Sequence, residues 1–259
     1  MDIKDLRLAV LIDADNVPAG YVTKMFEEIT KYGTPTFKRI YADWTKPTVT
    51  AWKKVLLEHA ITPIQQYSYT KGKNSSDSAM IIDGMDILYT GKVDGFCIVS
   101  SDSDFTRLAT RLREAGMRVI GIGEKKTLAP FITACDKFIY LEILGTDEED
   151  EEEETEQSKP DHKTSPKKSA QKVHAQPIRK VDQRLIRLVS DSISDIADEN
   201  GWVFLGDLGN HMLKRNPDFD SRNYGFAKLL PLIKSLDRFE IDERETGKRN
   251  IRHVYVRIR

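Results

Sequence analysis

Between residues 6 and 144, short apolar runs alternate with stretches whose apolar positions recur every three or four residues. The runs LRLAVLI, TFKRIYA, TPIQQY, GFCIVS and MRVIGIG predict strands. The segments beginning near Pro18, Thr48, Ser75, Phe105 and Leu128 have the spacing of amphipathic helices. Mostly apolar strands alternating with helices predict an α/β fold, a parallel sheet covered by helices on both faces.

The pattern stops after residue 146. An acidic run, DEEDEEEETE, passes into QSKPDHKTSPKKSAQKVHAQP, which has almost no large apolar residue. Such a segment cannot bury enough surface to offset its ordering entropy, so residues 147 to 177 are expected to be a disordered linker. Helical spacing resumes at Ile186, Val189, Ile193 and Ile196, with a stop expected at Asn200-Gly201. A short helix through Leu213 follows, then a second from Ser221 to Leu236. Phe239-Glu240-Ile241 and Val254-Tyr255-Val256 alternate like the strands of a hairpin, joined by a charged loop around Gly247. Three helices and a hairpin make a small winged helix over residues 178 to 259, separate from the α/β domain over residues 1 to 146.

Charge sharpens this division. The net charge of -1 conceals nine acidic and no basic side chains at residues 147 to 156, then 21 Lys and Arg against 14 Asp and Glu from residue 157 onward. A local basic excess suits a phosphate-rich partner. No run of about 18 apolar residues is present, so no membrane span is expected. The acidic start MDIKDLRLAVLID reads as a buried strand rather than a signal peptide. Cys97 and Cys135 have no zinc-type spacing and read as reduced core thiols of a cytoplasmic protein. Gly121-Ile122-Gly123 lacks the third glycine and the later acidic residue of a dinucleotide site.

Two dense acidic motifs stand where predicted strands end: LIDADN, with Asp13, Asp15 and Asn16, and IVSSDSDF, with Ser101, Asp102 and Asp104. In a sheet ordered 3-2-1-4-5, the first and fourth strands are neighbours across the switch point, so Asp13 and Asp102 face one crevice. Ser75 or Ser76 can cap the third helix, which puts Asp77 in its first turn, where a negative charge is favoured. Asp83, six residues on, is rotated by roughly 120° and reads as supporting. Converging carboxylates stay ionised together only beside a cation, and hard oxygen ligands suit Mg²⁺ or Mn²⁺. Taken singly, each motif reads equally well as a helix cap or a turn.

LIDADN, KNSSD and SSDSDF, in this order and on these elements, resemble the NYN family of PIN-like proteins, in particular its LabA-like branch. The resemblance implies a PIN-like Rossmannoid fold and Mg²⁺- or Mn²⁺-dependent endoribonuclease activity. It carries the family's acidic catalytic and metal-binding positions onto Asp13, Asp77, Asp102 and Asp104, with Asn16 and Ser101 matching supporting polar positions. Asp136 reads as structural. Lys46, Lys71, Lys73 and Arg107 are basic residues near the expected crevice, and Tyr67 and Tyr69 precede the two loop lysines. A basic loop with aromatics suits single-stranded RNA.

GWVFLGDLGNHMLKRNPDFDSRNYGFAKLLPLIKSL resembles the OST-HTH (LOTUS) domain, which implies RNA binding and, in some relatives, a protein partner. Its aromatics Trp202, Phe219, Tyr224 and Phe226 are expected in the core. Lys214, Arg215, Arg222 and Lys228, with Arg244, Lys248, Arg249 and Arg252 on the wing, are the candidates for RNA contact. Three functions stay open: a ribonuclease cleaving single-stranded RNA, a non-catalytic RNA-binding regulator with a vestigial acidic site, and a phosphatase or deoxyribonuclease on the same fold.

Overall fold

The computed structural model describes residues 5–67, 75–145, 177–245 and 252–259. The first two stretches form one compact unit and the last two another. The predicted linker, the loop lysines Lys71 and Lys73, and the wing residues Lys248 and Arg249 lie outside the described residues.

The N-terminal unit has strands β1 (Arg7–Asp13), β2 (Thr34–Ala42), β3 (Thr62–Gln65), β4 (Gly95–Val99), β5 (Arg118–Gly123) and β6 (Lys137–Tyr140). They form one sheet in the order β3-β2-β1-β4-β5-β6, with every pairing parallel. The sixth strand was not among the five expected. It starts at Lys137, separated by only two residues from a helix that ends at Ala134, so its apolar residues read as a continuation of the helical pattern that begins near Leu128. Helices α1 (Val22–Ile29), α2 (Thr50–Val55), α3 (Ser75–Tyr89), α4 (Thr106–Glu114) and α5 (Ala129–Ala134) supply the crossovers. The chain winds one way from β1 through β3 and the other way from β4 through β6, so right-handed crossovers place helices on both faces.

Burial explains the order. Residues Leu8 to Ile12 of β1 and Phe96 to Val99 of β4 have no measurable exposure, as central strands covered twice must. Gly84 lets α3 pack close to β1, since a Cβ there would come within 3.2 Å of Leu11 Cδ1. The glycines of Gly121-Ile122-Gly123 serve packing: a Cβ on Gly121 would lie 2.6 Å from the Phe138 ring. Cys97 and Cys135 are buried and free, and burial pushes both thiols well above their ordinary pKa.

The C-terminal unit contains α6 (Gln183–Ile196), β7 (Val203–Phe204), α7 (Leu205–Arg215), α8 (Leu229–Lys234), β8 (Phe239–Glu245) and β9 (Arg252–Ile258). The Asp182 side chain caps α6 by accepting from the N–H groups of Arg184 and Leu185. The strands form an antiparallel sheet in the order β7-β9-β8. Leu185, Val189, Ile193, Leu208, Met212, Leu232, Ile233 and Val256 form its core.

Local chemistry corrects three expectations here. Helix α6 ends at Ile196, before Asn200-Gly201; those residues make a separate turn, with Gly201 at φ 79° and the Asp198 carboxylate accepting from the N–H groups of Asn200 and Trp202. The single helix expected from Ser221 to Leu236 is a 3₁₀ turn at Ser221–Tyr224 followed by the short α8. Gly225, at φ 83°, breaks it, because a left-handed residue ends helical hydrogen bonding. Phe219 is buried, and Tyr224 and Phe226 pack partly against the core, but Trp202 lies only half-buried with the guanidinium groups of Arg257 and Arg244 against its ring.

Candidate metal centre

Strands β1 and β4 pair with Ile12 opposite Val99, so Asp13 and Ser100 leave the carboxyl edge of the sheet side by side. Asp13 is 1% exposed. Its Oδ1 accepts from the Asp15 N–H at 3.1 Å, and its Oδ2 accepts from Asn16 Nδ2 at 2.6 Å and Ser100 Oγ at 2.9 Å. Burial raises the Asp13 pKa, and these three donors oppose the rise by stabilising the carboxylate.

Ser100 Oγ also accepts from the Asp102 N–H at 3.0 Å. One hydroxyl therefore ties the end of β1 to the loop that carries the next carboxylates. Ser101, the serine expected in a supporting role, accepts from the Glu124 N–H at 2.8 Å through its Oγ and secures the loop after β5. Adjacent residues leaving a strand point to opposite sides, and only the register between β1 and β4 shows which serine faces Asp13.

Asp102 precedes a 3₁₀ turn at Ser103–Phe105, and its Oδ1 accepts from the Asp104 N–H at 2.9 Å. Asp77 stands in the first turn of α3, which starts at Ser75, so the two serines lie within the helix rather than before it. One carboxylate oxygen each from Asp77, Asp102 and Asp104 lies within 4.8 Å of the others. Asp13 is outside this trio but close enough to act on it. Burial first, then the charges of Asp13, Asp102, Asp104 and Asp15, push the Asp77 carboxyl up to about 6. Such crowding fits a divalent cation, which relieves the repulsion and prefers oxygen ligands.

A sequence model of the NYN domain matches residues 7–142, just over half of the 259-residue chain. The chain belongs to the NYN family. This is a PIN-like nuclease family. A model of the OST-HTH/LOTUS domain, a module associated with RNA binding, matches residues 176–251. No curated protein matches the chain. Among solved structures, a protein of unknown function from Vibrio parahaemolyticus is 19% identical, covering 53% of this chain and 94% of its own, with a TM-score of 0.45. An uncharacterized protein from Nitrosomonas europaea is 33% identical over 39% of this chain and 92% of its own, with a TM-score of 0.29. Residues 175–257 of a protein from Chromobacterium violaceum are 28% identical over 32% of this chain and 88% of that one, with a TM-score of 0.26.

The remaining polar residues of the NYN domain divide by what they touch. Asp83 is outside the trio and holds the Arg39 guanidinium and the Tyr41 hydroxyl, which ties α3 to β2. Asp136 accepts from the Val119 N–H and pairs with Arg113. Asp43, just after β2, is a further buried carboxylate at the carboxyl edge, engaged with Thr45 and Gln65. Arg107 is exposed on the first turn of α4, three residues from Asp104, and Lys46 is half-buried after β2.

In the OST-HTH domain, Lys214 and Lys228 are exposed. Arg215 pairs with Asp195 at 2.7 Å. Arg222 is bound through Nε and Nη2 to the Asp220 carboxylate and is only 19% exposed, so its charge is turned inward. No described helix is long and apolar enough to cross a membrane.

Proposed function

We propose that the chain is a divalent-metal-dependent endoribonuclease that cleaves single-stranded RNA, with the OST-HTH domain recruiting the substrate. The observation that carries this reading is the convergence of Asp77, Asp102 and Asp104 within 4.8 Å at the carboxyl edge of the sheet, beside the buried Asp13. In open α/β sheets this edge, at the point where the winding reverses, is where ligands bind.

Asp77, Asp102 and Asp104 would hold the cation, Mg²⁺ or Mn²⁺, through carboxylate oxygens. Asp13 contributes negative charge from behind and, through Ser100, fixes the loop that presents Asp102 and Asp104. Asn16 and the Asp15 N–H keep Asp13 oriented and favour its carboxylate form against the effect of burial. When bound, the cation supplies charge neutralisation and Lewis acidity toward a phosphodiester. Arg107, exposed beside Asp104, is placed to pair with a phosphate of the RNA strand. The partner is RNA rather than a membrane, and the setting we infer is the cytoplasm.

The test is cleavage of labelled RNA and DNA of the same sequence with Mg²⁺, with Mn²⁺ and with EDTA. Cation-dependent internal cleavage of RNA is the expected result. RNA binding without cleavage under any cation would make the chain a binding regulator, and equal cleavage of DNA would remove the ribonuclease assignment.

A further inference from the structure

The outer face of the winged-helix sheet carries aromatic rings that the core does not use. Val203 and Val256 pair across β7 and β9 and are buried, so their neighbours Phe204 and Tyr255, also paired, stand on the opposite face. The Phe204 and Tyr255 ring centroids are 5.9 Å apart. The Arg244 guanidinium lies 4.1 Å from the Tyr255 centroid, and Arg257 lies 4.5 Å from that of Trp202. Phe204 is 36% exposed, and its ring lies over Gly206, where a Cβ would come within 2.7 Å of it.

Helix α7 begins at this ring and supplies the facing wall. Asp207, Asn210 and Lys214 recur at three- and four-residue spacing, on one side of the helix. All three are exposed, and none of their side chains makes a hydrogen bond or ion pair with the described residues. They line, with Trp202, Phe204 and Tyr255, a cleft of about 620 Å³. That is within the usual range for small-molecule sites, which is roughly 300–1,000 Å³.

An aromatic wall, its Phe204 and Tyr255 rings tilted by 58° to one another, opposite unpaired carboxylate, carboxamide and ammonium side chains suits a ligand that is planar, polar at its edge and attached to an anion. We propose that this cleft takes one unpaired nucleobase of a single-stranded RNA. The base stacks on the exposed Phe204 ring with Tyr255 at its side, its edge meets Asp207 and Asn210, and Lys214 pairs with a neighbouring phosphate. Arg244 and Arg257 are bound to Asp242 and Glu240, so stacking rather than net charge dominates here. The inference rests on the RNA-binding reading of the OST-HTH domain and adds where and how a base is held.

The experiment is fluorescence anisotropy of the full chain with a fluorescein-labelled, mixed-sequence single-stranded RNA, and with the same backbone carrying abasic sites. The wild type is expected to prefer the base-bearing strand by about tenfold, the scale of losing one aromatic stack. Phe204→Ala should abolish that preference without changing the salt dependence. Asn210→Ala, on an exposed helix face, should weaken binding severalfold with no risk to the core. Lys214→Ala should lower the slope of log K against log salt by about one. If the wild type binds RNA and all three folded variants match it, the cleft holds no base and the proposal fails, while the RNA-binding reading stands. If the wild type binds no RNA at low salt, that reading fails and takes this inference with it.

Discussion

Ser100 donates to Asp13 across the seam between β1 and β4, 87 positions apart in the chain, while accepting from the backbone of Asp102. The acidic crevice is therefore braced by a neutral hydroxyl. Replacing it should disturb the carboxylates without adding or removing charge. Ser100→Ala is expected to cost about 1 kcal/mol of stability, the scale of a net hydrogen bond. It should also weaken Mn²⁺ affinity by roughly tenfold, as loss of an orienting neighbour does. Isothermal titration with Mn²⁺ and urea unfolding measure the two effects. Unchanged Mn²⁺ affinity would remove Ser100 from the site.

Asp102→Asn keeps the Oδ1 that accepts from the Asp104 N–H, so the turn at Ser103–Phe105 should persist. The lost charge is expected to lower single-turnover RNA cleavage by at least about a hundredfold, about 2.7 kcal/mol of barrier, with little change in RNA affinity. Wild-type turnover in a folded Asp102→Asn chain would sink the metal-site assignment.

The raised pKa of Asp77 gives a pH dependence with a definite sign. Its folded value of about 6 lies above the ordinary 3.8, so between these the folded chain holds a proton that the unfolded chain has released. The contribution to metal-free stability therefore falls as pH rises through this window and is at its lowest above about 6. A bound cation removes that penalty. Thermal unfolding should show a larger Mn²⁺-induced rise in Tm near pH 7.5 than near pH 5. Asp77→Asn should raise the metal-free Tm near pH 7.5 and shrink the Mn²⁺ response. A Mn²⁺ response independent of pH in the wild type would contradict the coupling.

Asp83 separates structural from site carboxylates. Asp83→Ala leaves the Arg39 guanidinium and the fully buried Tyr41 hydroxyl without their acceptor. The expected cost is about 3 kcal/mol, the upper range for an unsatisfied buried polar group. Cleavage per folded molecule should hold, because Asp83 lies outside the trio. Denaturant midpoints and active-site titration distinguish the two quantities. Loss of cleavage with unchanged stability would make Asp83 part of the site.

Much of the NYN domain is legible in the sequence because its signals are local. A central parallel strand buried on both faces must be continuously apolar, as LAVLI and FCIV are, and a carboxylate just beyond such a run can only stand at the sheet's carboxyl edge. The edge strand β6 and the break at Gly225 were less legible. The strand follows α5 after two residues and its apolar positions merge with that helix's pattern, and a single glycine within a helical pattern does not say whether its φ is positive.

The sequence by itself determined the α/β class, the acidic edge and the family, since strand burial and motif order are properties of consecutive residues. Tertiary structure alone decided which residues meet. Pairing Ile12 with Val99 chose Ser100 over Ser101 as the partner of Asp13, and the start of α3 brought Asp77 to Asp102 and Asp104. It also turned Arg222 inward and Trp202 outward, although both stand in the same signature stretch. The physical reason is that sheet register and helix packing set distances between groups far apart in the chain, whereas hydrophobic periodicity records only which face of an element is buried.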